Sequence, residues 1–133
     1  MARLILDTSV LIEAERGEGG LLEAVEDVDD LAMSAVTVAE LRVGVGLTKG
    51  RRQRENHELF IASVLDAISV EAYDVEVAEA HAQLMAHVRR AGTPRGAHDL
   101  IIAATALARD RKVVTLDRRG FADLPGVAVA ELG

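Results

Sequence analysis

A chain of 133 residues, half of them hydrophobic and 28% charged, is long enough for one domain with a sizeable core and too apolar for a disordered chain. The absence of cysteine excludes disulfides and thiolate metal sites, and no apolar run approaches the ~20 residues that cross a bilayer. The net charge of −7 argues against a general nucleic-acid coat, yet 13 of the 15 basic residues are Arg, which suits bidentate phosphate contacts.

Aromatic residues are confined to Phe60, Tyr73 and Phe121, which argues against a base-stacking platform. Strand-like sequence begins at once, without a charged leader and apolar signal stretch, so a cytoplasmic location is expected.

The run Leu4-Ile5-Leu6 fits the central strand of a parallel sheet and ends in Asp7. Thr8 and Ser9 can cap a helix expected from Val10 to about Arg16, which Gly17, Gly19 and Gly20 stop. Asp7 therefore stands at the carboxyl end of a strand, where open α/β sheets bind ligands. A carboxylate there is costly unless a cation, a donor or water receives it. A short helix is expected over Leu21–Asp27, and the acidic run from Glu23 to Asp30 reads as a solvated helix end and turn. Leu31–Ser34 reads as a strand.

Thr37 is the expected cap of a helix through Val38, Glu40, Leu41 and Val45. Thr37 and Glu40 have capping-box spacing, which gives Glu40 a purely structural role as one option. A basic turn is expected over Lys49–Arg54, then a helix over Glu55–Ala67 with Leu59, Phe60, Val64 and Leu65 inward, then a strand over Ile68–Val70. Val75–Ala91 is expected as the longest helix, with Val77, His81, Leu84 and Val88 in one stripe. Gly92, Pro94 and Gly96 mark the loop that follows. A helix beginning near Ala97 is apolar nearly all round and so buried, with Asp99 in its first turn, where the helix dipole favours negative charge. Val113–Leu116 reads as a strand ending in Asp117, and Val127–Val129 as a last edge strand. Strands and helices alternate, which predicts an α/β fold: a parallel sheet with helices on both faces, in one domain over residues 1–133.

Asp7 and Asp117 each follow a strand, and Glu40 and Asp99 are each expected in the first turn of a helix, so all four can converge at the carboxyl edge of the sheet. Mutual repulsion prevents four such acids from all ionising unaided. A hard divalent cation resolves the conflict, and oxygen-only ligation selects Mg²⁺ or Mn²⁺ over Zn²⁺. That chemistry is metal-assisted hydrolysis of a phosphodiester. His98 beside Asp99, and Arg118 and Arg119 after Asp117, are candidate contacts to the phosphodiester substrate. The sequence lacks the glycine-rich motif of a P-loop, which excludes that class of nucleotide hydrolase.

The segments Leu4-Ile-Leu-Asp7-Thr-Ser, Val38-Ala-Glu40-Leu, His98-Asp99-Leu-Ile-Ile-Ala-Ala104 and Val114-Thr-Leu-Asp117-Arg-Arg-Gly-Phe121 resemble the four signature segments of PIN-domain nucleases. The small size and the Arg90-Ala-Gly-Thr-Pro lead-in are most similar to VapC-type toxins of toxin–antitoxin pairs. The resemblance implies a three-layer α/β/α sandwich and a Mg²⁺- or Mn²⁺-dependent endoribonuclease acting on structured RNA such as tRNA or rRNA. It also implies a homodimer and a cognate VapB-like antitoxin. By position it gives Asp7, Glu40, Asp99 and Asp117 the roles of metal-binding acids, with Thr8, Ser9 and Thr115 as supporting hydroxyls. Two other readings stand beside it. A phosphohydrolase with an aspartyl nucleophile would want an acid where Ser9 stands, and a non-catalytic PIN scaffold binding RNA or protein would be favoured by loss of an acid.

Overall fold

The computed structural model describes residues 1–17, 20–25 and 29–131, and only the backbone of Leu21. Its strands are β1 (Arg3–Leu6), β2 (Asp30–Ser34), β3 (Ser69–Glu71) and β4 (Lys112–Val114). Its helices are α1 (Thr8–Glu15), α2 (Ala35–Leu47), α3 (Arg51–Ala67), α4 (Val75–Ala91) and α5 (Ala97–Arg109). Short 3-10 turns cover Leu21–Ala24 and Arg118–Gly120.

The strands form one parallel sheet in the order β3-β2-β1-β4. Alternation along β1 divides the core in two. Leu4 and Leu6 pack with Val10, Leu11, Leu41, Ile61 and Val64 from α1, α2 and α3 on one face. Ile5 packs with Val77, Leu84, Leu100 and Ile102 from α4 and α5 on the other. Val113 and Val114 of β4 repeat this division. The result is the expected α/β/α sandwich. From β1 the chain moves outward to β2 and β3, then returns to β4 on the opposite side of β1. The crevice between the carboxyl ends of β1 and β4 is therefore the topological switch point, where such sheets bind ligands.

Several local expectations change. Helix α1 starts at Thr8 with Asp7 in the N-cap position, so Thr8 and Ser9 lie inside the first turn instead of capping it. Strand β2 passes into α2 without a loop, and Ser34 Oγ, accepting from Val36 N–H at 3.2 Å, is the cap. Thr37 is thus buried inside α2, its capping box with Glu40 does not form, and Glu40 falls in the second turn. The basic segment Arg51–Arg54 belongs to α3, since Arg is a good helix former. Leu59 and Leu65 point outward, and Ile61 and Val64 are the buried residues of α3. Ala80 replaces His81 in the buried stripe of α4, which equals α3 in length. His81 is half-buried, with Nδ1 2.8 Å from the Tyr73 hydroxyl.

Strand β4 ends at Val114, and Val129 reaches it through a parallel bridge to Val113, not a full strand. The helix expected over Leu21–Asp27 is a 3-10 turn that ends in extended Val25, and residues 26–28 lie outside the described ones. Asp29 and Asp30 are not simply solvated: Asp29 Oδ1 accepts from Ala2 N–H at 3.0 Å, and Asp30 pairs with Arg3 and Arg111. Among the described residues no helix is long and apolar enough to cross a membrane.

Candidate active site

Leu6 pairs with Val114, so Asp7 and Thr115 leave β1 and β4 side by side. The Asp7 carboxylate is only 6% exposed and requires donors. Its Oδ2 accepts hydrogen bonds from Thr115 Oγ1 at 2.7 Å and Ser9 Oγ at 2.8 Å. Each hydroxyl is itself oriented by the backbone: Ser9 Oγ accepts from Leu116 N–H at 3.3 Å, and Thr115 Oγ1 from Asp117 N–H at 3.0 Å. Both protons are thereby directed at one carboxylate oxygen.

Glu40 reaches the same edge from α2. The Thr8 hydroxyl donates to Glu40 Oε1 at 2.7 Å, and Thr8 Oγ1 lies 3.1 Å from Thr37 Oγ1. His98, at the start of α5, places Nδ1 3.4 Å from Glu40 Oε2. Glu40 is thus tied to α1 through one oxygen and approached from α5 at the other. His98 lies beside an acid of the cluster.

Asp99 and Asp117 converge across a glycine. A Cβ on Gly120 would lie 2.8 Å from Asp99 Oδ2 and 3.7 Å from Asp117 Oδ2, and one on Gly96 would lie 3.3 Å from Asp99 Oδ2. Both glycines leave room that any side chain would take from the acids. Burial raises the pKa of Asp99, and the negative charges of Asp7, Asp117 and Glu40 raise it further, against a smaller opposing effect of His98. The charges of the other three acids selected from the sequence therefore bear on Asp99 in the fold.

The donors gathered here are carboxylate and hydroxyl oxygens, a set that fits a hard divalent cation. Among the described residues no three acidic or imidazole groups stand close enough to enclose an ion by themselves. Arg119 is exposed and makes no ion pair among the described residues, whereas Arg118 donates to Ala130 O at 3.4 Å and to Glu131 at 3.0 Å. Sequence reasoning missed Thr37, read as a cap, and gave no role to Gly96 or Gly120. The Arg-Arg-Gly-Phe segment after the fourth acid was the available signal for Gly120.

Residues 4–127 match the PIN domain family. The chain is 36% identical over 128 residues to ribonuclease VapC5 of Mycobacterium tuberculosis, covering 96% of this chain and 92% of that protein. Its fold superposes on the M. tuberculosis VapBC-5 structure with a TM-score of 0.81 at 31% identity, covering 98% and 99% of the two chains. The DNA-bound VapBC structure of Salmonella typhimurium gives a TM-score of 0.87 at 26% identity, with 98% of each chain covered. The four acids stand on a shared scaffold: the chain belongs to the PIN-domain family and, within it, to the VapC group.

Proposed function

We propose that this chain is a metal-dependent endoribonuclease, the toxin of a VapBC-like toxin–antitoxin pair, that hydrolyses phosphodiester bonds in structured RNA such as tRNA or rRNA. One observation supports this reading: the charges of Asp7, Asp117 and Glu40 all bear on Asp99 near the switch point of the sheet. The relatives named VapC ribonuclease favour RNA as the substrate.

Asp7, Glu40, Asp99 and Asp117 are the residues that would hold Mg²⁺ or Mn²⁺. Such an ion, when bound, supplies a water of lowered pKa and charge stabilisation at the leaving oxygen. The protein's own groups prepare that chemistry. Ser9 and Thr115 occupy Asp7 Oδ2 and fix the carboxylate's orientation, while Thr8 holds Glu40 toward the crevice. Arg119 is the freest candidate for a substrate phosphate, followed by His98, then Arg118, which must first leave Glu131.

A VapB-like antitoxin fits the solved VapBC complexes this fold matches. It would cover the outer face of α2 and α3, where Val43, Leu47 and Leu59 are exposed, by helix-in-groove contacts. A homodimer of single-domain chains in the cytoplasm completes the reading. Cleavage of total tRNA with Mg²⁺, Mn²⁺ or EDTA, beside Asp99→Asn, tests it. Discrete fragments that need metal and disappear in the variant support it. Cleavage unchanged by EDTA or by Asp99→Asn overturns the mechanism and the site.

A further inference from the structure

Asp99 stands in the first turn of α5, just after one loop, and Asp117 stands on another. Residues 92–96 join α4 to α5 and lead into Asp99, while residues 117–122 follow β4 and carry Asp117. The two carboxylates flank Gly120, and their like charges push the start of α5 and the second loop apart. Phe121 and Leu124 anchor the second loop in the core, but apolar contact is not directional.

One side chain makes the hydrogen bond that crosses between these loops among the described residues. Arg95 Nη2 donates to Ala122 O at 2.9 Å, and Nη1 donates to Thr93 O at 3.0 Å in Arg95's own loop. The planar guanidinium holds those two carbonyls at a set spacing and angle, which a lysine ammonium cannot do. Arg95 Nε is buried without a hydrogen-bond partner, an unfavourable state, so the Nη contacts are what keep the group in place.

From this geometry we infer that Arg95 is a positioning residue: it holds the loop that leads into Asp99 against the loop that carries Asp117, so that both carboxylates are presented to one divalent cation. The inference rests on the reading of Asp99 and Asp117 as cation-holding acids. Arg95 itself touches neither ion nor substrate. It acts as groups behind a metal's direct ligands commonly do, by orienting them before the ion arrives.

Calorimetry with Mn²⁺ alone, on the full chain without RNA, tests this in the unaltered protein, Arg95→Met, Arg95→Lys and Asp99→Asn. Arg95→Met keeps the apolar stem and removes the fork. We expect its Mn²⁺ affinity to fall by about 10- to 100-fold. Its melting temperature and its RNA affinity in EDTA should stay unchanged, with Arg95→Lys intermediate in Mn²⁺ binding. Equal Mn²⁺ affinity in Arg95→Met and the unaltered protein overturns the inference and leaves the site reading standing. Should Arg95→Met also melt early, Arg95→Lys decides. A normal melting temperature with weakened Mn²⁺ binding supports positioning, and normal values of both overturn it. If the unaltered chain binds Mn²⁺ no better than Asp99→Asn does, the site reading fails and the inference falls with it.

Discussion

Two groups of acids in this molecule are treated in opposite ways. Asp30, Glu71, Asp74 and Glu76 surround Arg109 and Arg111: Arg109 pairs with Glu71, Asp74 and Glu76, and Arg111 with Asp30 and Glu71. In the second group, Asp7 meets the hydroxyls of Ser9 and Thr115, Glu40 meets Thr8 and His98, and Asp99 feels the charges of the other acids, with no guanidinium in ion-pair contact among the described residues. The first group ties β2, β3 and the start of α4 to the end of α5 and the segment that follows it, a job that fixed cations perform permanently. The second keeps its charge available. Acids neutralised by arginine report on stability; acids left facing one another at a switch point report on chemistry.

The widest separation between the groups should appear on removing one charge from the second. Asp99→Asn is expected to cut RNA cleavage by at least about 10³-fold, because the cation's charge stabilisation is worth several kcal/mol. The folded population at neutral pH should not fall. A rate within tenfold of the unaltered enzyme would dissolve the distinction. Next in size, Arg111→Ala strikes the first group. The Arg111 side chain is 5% exposed, but Asp30 keeps Arg3 and Glu71 keeps Arg109, so its loss is expected to cost about 1–3 kcal/mol through the hydrogen bonds it breaks. Urea unfolding measures that loss, and a change under about 1 kcal/mol would place Arg111 among surface ion pairs instead.

Much of this contrast was legible in the sequence, though unevenly. Asp7 and Asp117 were readable because each follows an apolar run that reads as a strand, although β4 ends at Val114, three residues before Asp117. Asp99 was readable from a first helical turn before an apolar helix. Glu40 was found for an incomplete reason. Its helix begins at Ala35 because Ser34 caps directly off β2, which local spacing around Thr37 does not reveal. The three-layer sandwich followed from alternation, whereas the inward face of α3 did not, since Leu59 and Ile61 are equally apolar in sequence and only packing separates them. The arginine clamp was invisible: Arg109 lies 38 residues from Glu71, and nothing local links them.

A smaller effect probes the space the second group needs. Gly120→Ala places a methyl 2.8 Å from Asp99 Oδ2, and the carboxylate, not the backbone, must give way. Activity should fall by up to about 10²-fold, the scale of a 1 Å misplacement, with little change in melting temperature. A large loss of stability with normal activity per folded molecule would mean that Gly120 serves the turn and not the acids.

The smallest effect distinguishes the groups by sign. Burial first, then the neighbouring acids, raises the pKa of Asp99, so the folded state holds that proton more tightly than the unfolded chain. Ionising Asp99 therefore costs stability as pH rises above about 4. Asp99→Asn lacks this cost, so its advantage over the unaltered protein should grow as pH climbs through the raised pKa and then level off. Asp74 behaves oppositely. Its bond from the Val77 N–H lowers its pKa most, and Arg109 lowers it further. The unfolded chain binds that proton more tightly, so Asp74 stabilises the fold above about pH 4 and loses this contribution as pH falls through the lowered pKa. Asp74→Asn keeps an effective helix cap and removes only the charge, so its deficit should shrink in acid. Urea midpoints of both variants from about pH 3 to 7 give the two slopes. Slopes of the same sign would mean that charge pairing is not what divides these two sets of acids.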